Sequence, residues 1–321
     1  MSNYIFTNVE NVFKLNKCDD YILTKEITDS NYDKIVGFIT DKQKFHLVEN
    51  LIPKIKNLQV FGILANSLKS INIDFLYKKS IKVVNIADSY AKTCSEFLLM
   101  LCILGIRKAS LSHENMRMGR WGIRSFNGSN VKKVKKNFDN CSIGIIGYSF
   151  ITRNFLKILK PFNNEIKIYS ENISKEEISK LGEVKLSNID EVINSDIIIL
   201  ARTLNNKTLK FFNKKYIDKI KSGTVLINIA RSNLIDNDYL FKRLLKNDIF
   251  YCVDVFEKEP INKFDRYIRL NNVFLTSHMA GDSEEILNQG YTQIFNNVIQ
   301  TLNNNYDYHI EYNTYIKNHK K

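Results

Sequence analysis

The sequence predicts an α/β protein made of two doubly wound parallel-sheet domains, the second inserted into the first. Two observations carry that reading. Short β-branched runs alternate with longer helical patterns from end to end, as in chains that return each strand to its sheet through a helical crossover. The strand candidates also fall into two sets, separated by one long apolar helix. At 321 residues the chain is long enough for two full hydrophobic cores.

The first set comprises YIFTN (4–8), YILTK (21–25), KIVGFI (34–39), LQVFGIL (58–64) and KVVNIA (82–87). The apolar helix follows, from about Thr93 to Lys108, and leads into a basic connection containing GRW and SFNGSN. The second set is SIGIIG (142–147), EIKIYS (165–170), DIIIL (196–200), TVLINIA (224–230), YCVDVF (251–256) and VFLTS (273–277). A last helix, roughly Ser283 to Asn303, returns to the N-terminal domain. The expected division is a substrate domain of residues 1–92 plus 285–321 and a dinucleotide-binding domain of residues 93–284.

Hydrophobic residues at 44% and charged residues at 25% are ordinary globular usage, which excludes a disordered chain. A net charge of +13 raises the question of a polyanionic partner. Only KKVKK (132–136) and KNHKK (317–321) cluster that charge, and neither is interleaved with aromatics, so no nucleic-acid partner is expected. A positive field that gathers anionic substrates or cofactor phosphates explains the charge more simply. The longest apolar run, FLLMLCILGI, is about half a membrane span, and MSNYIFTNVENVF has no signal-peptide pattern. No membrane association is expected. Cys18, Cys94, Cys102, Cys141 and Cys252 are odd in number and widely spaced. They read as reduced thiols of a cytoplasmic protein, with no metal site.

Between the strand SIGIIG and the amphipathic run YSFITRNFLKILK lies a glycine turn, the arrangement that sets a helix N-terminus against a pyrophosphate. Read as G-x-G-x-x-G, its positions are Gly147, Ser149 and Thr152, so only the first glycine is kept. Ser149 puts a Cβ and a hydroxyl where backbone normally meets phosphate, and Thr152 adds bulk between helix and strand. The usual acidic ribose anchor stands about 20 residues on, at the end of the next strand. Here that position is Ser170, followed by Glu171. Losing the acid at Ser170 leans toward NADP, and Glu171 leans back toward NAD. No arginine stands close by in sequence to claim a 2′-phosphate, and Arg202, after the next strand, is the candidate for it. The choice of cofactor stays open.

Three polar residues close the second set: Arg231 after TVLINIA, Glu259 in CVDVFEKEP and His278 after NVFLTS. A cation, a carboxylate and an imidazole at successive strand ends are what proton-coupled reduction of a keto acid needs. Singly, each has an ordinary alternative: a surface ion pair, a turn residue, a structural histidine. Their joint order and spacing carry the signal.

With these segments in view the chain resembles the D-isomer-specific 2-hydroxyacid dehydrogenases, the group that includes glycerate, phosphoglycerate, formate and D-lactate dehydrogenases. The likeness is collinear from about Leu58 to Gln293. LINIARSNLIDNDYL resembles the segment of the substrate-binding arginine, which implies that role for Arg231. CVDVFEKEP resembles the segment of the cofactor-contacting aspartate and catalytic glutamate, implying Asp254 and Glu259. NVFLTSHMAG resembles the catalytic histidine segment, implying His278 as proton donor and acceptor. RMGRWG, NGSNV and KVVNIADSYAKTCSEFLLMLCILGIRK match the connection and crossover ahead of the glycine turn. The resemblance implies a Rossmann-like cofactor domain with Gly147, Ser149, Phe150, Ile151, Ser170, Glu171, Ala230, Asp254 and Gly281 around NAD or NADP. It also implies a small anionic 2-keto or 2-hydroxy acid substrate and a homodimer.

The chain departs from the family in the loop LANSLKS (64–70), where Ala65, Asn66 and Ser67 replace a glycine-rich stretch that holds the substrate carboxylate. After DIIIL a usual proline is replaced by Ala201, Arg202 and Thr203. The implied reaction is hydride transfer between nicotinamide and C2 of the acid, with Arg231 binding the carboxylate, His278 giving the proton, and Glu259 fixing the imidazole tautomer and favouring the imidazolium. The alternative is a nucleotide-responsive binding protein of low or no activity on the same fold, as in the C-terminal-binding-protein corepressors.

Overall fold

The computed structural model describes residues 3–15, 20–65, 68, 71–86, 89–121, 136–171, 173–305, 309–312 and 315. The chain separates into two compact units, Met1–Tyr90 with Asp282–Lys321, and Ala91–Gly281. The sequence reading had put these divisions at 92/93 and 284/285.

In the first unit, β1 (Asn3–Thr7), β2 (Tyr21–Thr24), β3 (Ile35–Asp41), β4 (Val60–Leu64) and β5 (Lys82–Val84) form a wholly parallel sheet in the order β2-β1-β3-β4-β5. That order is doubly wound, with a reversal between β1 and β3. The last helix, Glu284–Leu302, covers one face of it. Ile294, Phe295 and Val298 share a core with Ile5, Val9, Ile39 and Val60, from residues nearly 300 positions apart. Gly62 makes the approach possible: a Cβ there would lie 2.6 Å from Val298 Cγ2.

The second unit carries seven parallel strands: β6 (Ser142–Ile146), β7 (Glu165–Tyr169), β8 (Val184–Leu186), β9 (Ile197–Leu200), β10 (Val225–Asn228), β11 (Phe250–Val253) and β12 (Val273–Leu275). Their order is β12-β11-β10-β9-β6-β7-β8, the dinucleotide-fold order extended by one strand. β9, β10 and β11 are buried on every residue, so they read as unbroken apolar runs without alternation. The chain reverses direction across the sheet at β6, whose neighbours are β7 and β9. Crevices for ligands form beyond strand C-termini at such a point.

The sequence leaves most of the short helices unassigned, and two further elements differ from its reading. β8 is a three-residue edge strand with Lys185 and Leu186 exposed, too short and too polar on its outer side to show a pattern. The basic connection begins with a second helix, Ala109–Arg117, set off from Ser89–Arg107 by Lys108 at φ +51°. Residues 122–135, with SFNGSN, lie outside the described residues. By length and composition alone Ser89–Arg107 could cross a membrane. Its inner face nevertheless buries Ala91, Cys94, Leu98, Leu101 and Cys102, and a Cβ on Gly105 would meet Val225 of β10 at 2.5 Å. Within this unit it is a core helix.

Gly144 sits where the Ile189–Ile193 helix presses on β6, and a Cβ there would come 2.2 Å from the Val192 carbonyl oxygen. Backbone cannot rotate aside as a side chain can. Gly144→Ala is therefore expected to destabilise the protein by about 1–3 kcal/mol, the scale of overpacking, read as a lower urea midpoint. An unchanged midpoint would mean that the sheet and helix are free to separate there.

Candidate active site

The polar residues of the second unit gather at the C-terminal ends of its strands. Arg231 follows β10, Asp254 follows β11 and His278 follows β12. His278 Nδ1 and Glu259 Oε2 are 2.7 Å apart, and the other Glu259 oxygen accepts the Phe256 N–H at 2.9 Å. Partial burial pushes the Glu259 carboxyl up, but the His278 contact, the Phe256 amide and the Arg231 charge outweigh it and hold the group below the usual carboxylate range. Glu259 is thus a carboxylate fixed on both oxygens, aimed at one ring nitrogen and leaving Nε2 for other partners. His278 has φ +56°, a left-handed backbone that few non-glycine residues adopt.

That backbone is held by Asp254, which is fully buried. Its Oδ1 accepts from Thr276 Oγ1 at 2.7 Å and Met279 N at 2.9 Å, and its Oδ2 from Ala280 N at 2.9 Å. A buried carboxylate needs such donors. In return the loop from β12 through His278 to Gly281 is tied to the end of β11. Asp254, expected as a cofactor contact, here positions the histidine segment. Thr276 was not singled out in the sequence, where a threonine after a strand carries no signal.

Asn228, also missed, plays the same part for Arg231. It is fully buried at the end of β10, accepts the Ala230 N–H at 3.1 Å and donates to the Arg231 carbonyl at 3.1 Å. The Arg231 guanidinium is exposed and donates through Nη1 to the Ala230 carbonyl at 2.6 Å. Cys94 lies near enough to feel both charged groups: burial pushes its thiol up to about 11, Asp254 adds to the rise and Arg231 opposes it. Of the substrate-loop residues, Ala65 is buried just after β4 in the other unit, while Asn66 and Ser67 fall outside the described residues.

The glycine turn fits a dinucleotide despite its altered residues. Gly147 has φ +115°, and a Cβ there would collide with the Ala201 carbonyl at 2.5 Å, so glycine is required. Ser149 has φ −124°, an extended backbone open to any residue, and its Oγ accepts the Thr152 N–H at 3.4 Å as the cap of the Phe150–Leu159 helix. Thr152 is buried, with its hydroxyl 3.4 Å from the Gly147 carbonyl. Its extra bulk is absorbed in the turn. The amides of Phe150 and Ile151, with no acceptor inside the helix, are left for an anion. Phe150 is exposed and Ile151 partly buried. At the far side Ser170 is partly buried at the end of β7, and the exposed Glu171 pairs with Arg202 at 2.9 Å.

Residues 99–280, more than half of the chain, match the family profile described as D-isomer specific 2-hydroxyacid dehydrogenase, NAD binding domain. The chain belongs to that family. The D-3-phosphoglycerate dehydrogenase of Archaeoglobus fulgidus is 26% identical over 237 residues, covering 73% of this chain but 44% of that protein. The chain thus spans less than half the length of that relative. The glyoxylate reductase of Pyrococcus horikoshii is 26% identical over 264 residues, covering 82% of this chain and 77% of that one. Among solved structures, the NAD-complexed D-isomer specific 2-hydroxyacid dehydrogenase of Lactobacillus delbrueckii ssp. bulgaricus superposes with a TM-score of 0.75 at 16% identity, covering 97% of this chain and 100% of that one. The matched unit of this family member is an NAD(P)-binding domain, and the Gly147 turn with the Phe150–Leu159 helix lies within it.

Ser149 is expected to set the closeness of phosphate approach. Ser149→Gly removes the side chain at a cap cost of only a few tenths of a kcal/mol and is expected to tighten NADH or NADPH binding in calorimetric titration. Weaker binding in that variant would show that the Ser149 hydroxyl contacts the phosphate instead.

Proposed function

We infer that the protein reduces small 2-keto acids, and oxidises the matching 2-hydroxy acids, with a nicotinamide cofactor. The observation that carries this reading is the 2.7 Å His278–Glu259 contact on a unit of the dehydrogenase family. The names of relatives, glyoxylate reductase and hydroxypyruvate reductase among them, support acids of two or three carbons.

The nicotinamide, when bound, supplies the hydride that reaches C2 of the keto acid. The rest falls to side chains. Arg231 offers a planar fork to the substrate carboxylate and the adjoining carbonyl oxygen. His278 is held at Nδ1 by Glu259, so the proton that converts the developing alkoxide to an alcohol leaves from Nε2. Glu259, kept ionised by its two donors, stabilises the imidazolium before transfer and fixes the tautomer after it. In the reverse direction the same nitrogen takes the hydroxyl proton. Asp254 and Asn228 hold the two reacting loops in register.

The protein is further proposed to act as a homodimer. Met100, Ile103 and Met116 on the two consecutive helices Ser89–Arg107 and Ala109–Arg117, with Met118 and Trp121 just beyond them and the last 83% exposed, put apolar area on this surface. Such a surface favours a partner.

Purified protein is expected to oxidise NADH or NADPH with glyoxylate, hydroxypyruvate or pyruvate, and His278→Gln is expected to lower turnover at least ~100-fold, the scale of a lost general acid. No turnover with either cofactor across these acids, or an undiminished rate in the variant, would end this reading. In sedimentation the native protein should run at twice its 37.5 kDa chain mass. A single species at the chain mass would refute the dimer.

A further inference from the structure

We propose that the Glu171–Arg202 ion pair makes this protein select NADH over NADPH, and that it does so by masking an otherwise serviceable 2′-phosphate site. The proposal rests on the dinucleotide reading of the second unit and names the groups that choose between the two cofactors.

The pair stands at the switch point of the sheet. Glu171 lies just beyond β7 and Arg202 just beyond β9, the two strands that flank β6. Between them runs the glycine turn, whose Gly147 N–H donates to the Tyr169 carbonyl at 2.8 Å and whose Cα faces the Ala201–Arg202 backbone. The ion pair therefore bridges the turn on which the pyrophosphate would rest. The adenosine ribose is read at the end of β7 in such folds, by an acid for the 2′-hydroxyl or an arginine for the 2′-phosphate. Here both residue types are present, and they are bound to each other.

Arg202 is not a loose surface cation. Its side chain is 18% exposed, its guanidinium lies 4.6 Å from the Phe211 ring centroid and 6.0 Å from that of Tyr169, and Nη2 donates to Glu171 Oε2. The two rings stack on each other at 6.2 Å with an interplanar angle of 15°, which makes a fixed platform for the cation. Glu171 is the outer partner, with 62% of its side chain exposed and its second oxygen accepting from Tyr169 Oη at 3.2 Å. The Arg202 hydrogen bond is the main reason that its carboxyl stays below the usual carboxylate range, and Tyr169 adds to it.

The pair itself carries no net charge, and Lys207, a further cation near it, is the weakest of the influences that lower the Glu171 carboxyl. A ribose 2′-hydroxyl can donate to the exposed carboxylate, which has acceptor capacity beyond its two donors, and the pair stays whole. A 2′-phosphate must lie beside the Glu171 carboxylate, or displace it from Arg202, and either way it meets like charge. Neutralising Glu171 leaves the guanidinium on its aromatic platform with its fork free, which is the geometry that suits a phosphate.

The test is calorimetric titration of the full-length protein with NADH and NADPH, which reads binding and does not depend on turnover. Native protein is expected to bind NADH at least tenfold tighter. Glu171→Gln is expected to move the NADPH-to-NADH affinity ratio at least tenfold toward NADPH. The double variant Glu171→Gln with Arg202→Gln should lose that gain, showing that the unmasked arginine produced it. A native preference for NADPH, an unmoved ratio in Glu171→Gln, or the same gain in the double variant would each overturn the proposal. Failure of native protein to bind either cofactor would overturn the dinucleotide reading itself, a result distinct from those three.

Discussion

A buried carboxylate organises the C-terminal strand ends of the second unit. Asp254 is fully shielded from water, yet it accepts three hydrogen bonds, all from the segment that carries His278. Stripped of those donors the charge would be far too costly to bury. Folding the sheet therefore obliges the chain after β12 to curl back over the end of β11. That curl is what gives His278 its left-handed backbone and brings its ring to Glu259. The strain at one residue is maintained by the electrostatic need of another. Asn228 repeats the logic one strand over with a neutral amide, pinning both sides of the Arg231 turn. The exposed Arg231 and His278 are thus set by the buried groups beneath them.

The glycine turn after β6 shows how far a glycine pattern can change while its geometry persists. Of the three positions of the pattern, Gly147 has both a positive φ and backbone pressed against it, so there an added Cβ meets an immovable obstacle. The second position is extended, and Ser149 uses it to cap the helix. The third is buried, and Thr152 turns its hydroxyl inward to the Gly147 carbonyl. The steric demand is concentrated at one residue, and the helix start stays capped by Ser149.

The parallel core strands were readable because their burial on both faces writes itself as runs such as DIIIL and TVLINIA. Their ends were less so: β10 stops at Asn228, where the apolar run continues to Ala230, because the Asn228 side chain takes over the hydrogen bonds of the turn. Arg231, Glu259 and His278 were recognised by type and spacing. What the sequence did not disclose was support of the kind given by Thr276 and Asn228, since a buried hydroxyl or amide is marked by its surroundings and not by its neighbours in the chain. The Glu171–Arg202 pair was likewise hidden, its partners being 31 positions apart and joined only when β7 and β9 flank one strand. The Ala109–Arg117 helix was lost in a basic stretch because its few buried residues leave a weak apolar stripe.

The interrupted first unit also dictates an order of events during synthesis. Its sheet leaves the ribosome ahead of the inserted unit, but one face of β3 and β4 waits for Ile294, Phe295 and Val298, which follow that unit in the chain. The inserted unit, contiguous from Ala91 to Gly281, has all its strands in hand before that helix exists. A nascent chain must therefore hold an uncovered apolar surface around Gly62 while some two hundred residues are added behind it. The unit begun before the inserted one is completed only after it, and it is there that a chaperone would find the most to shield.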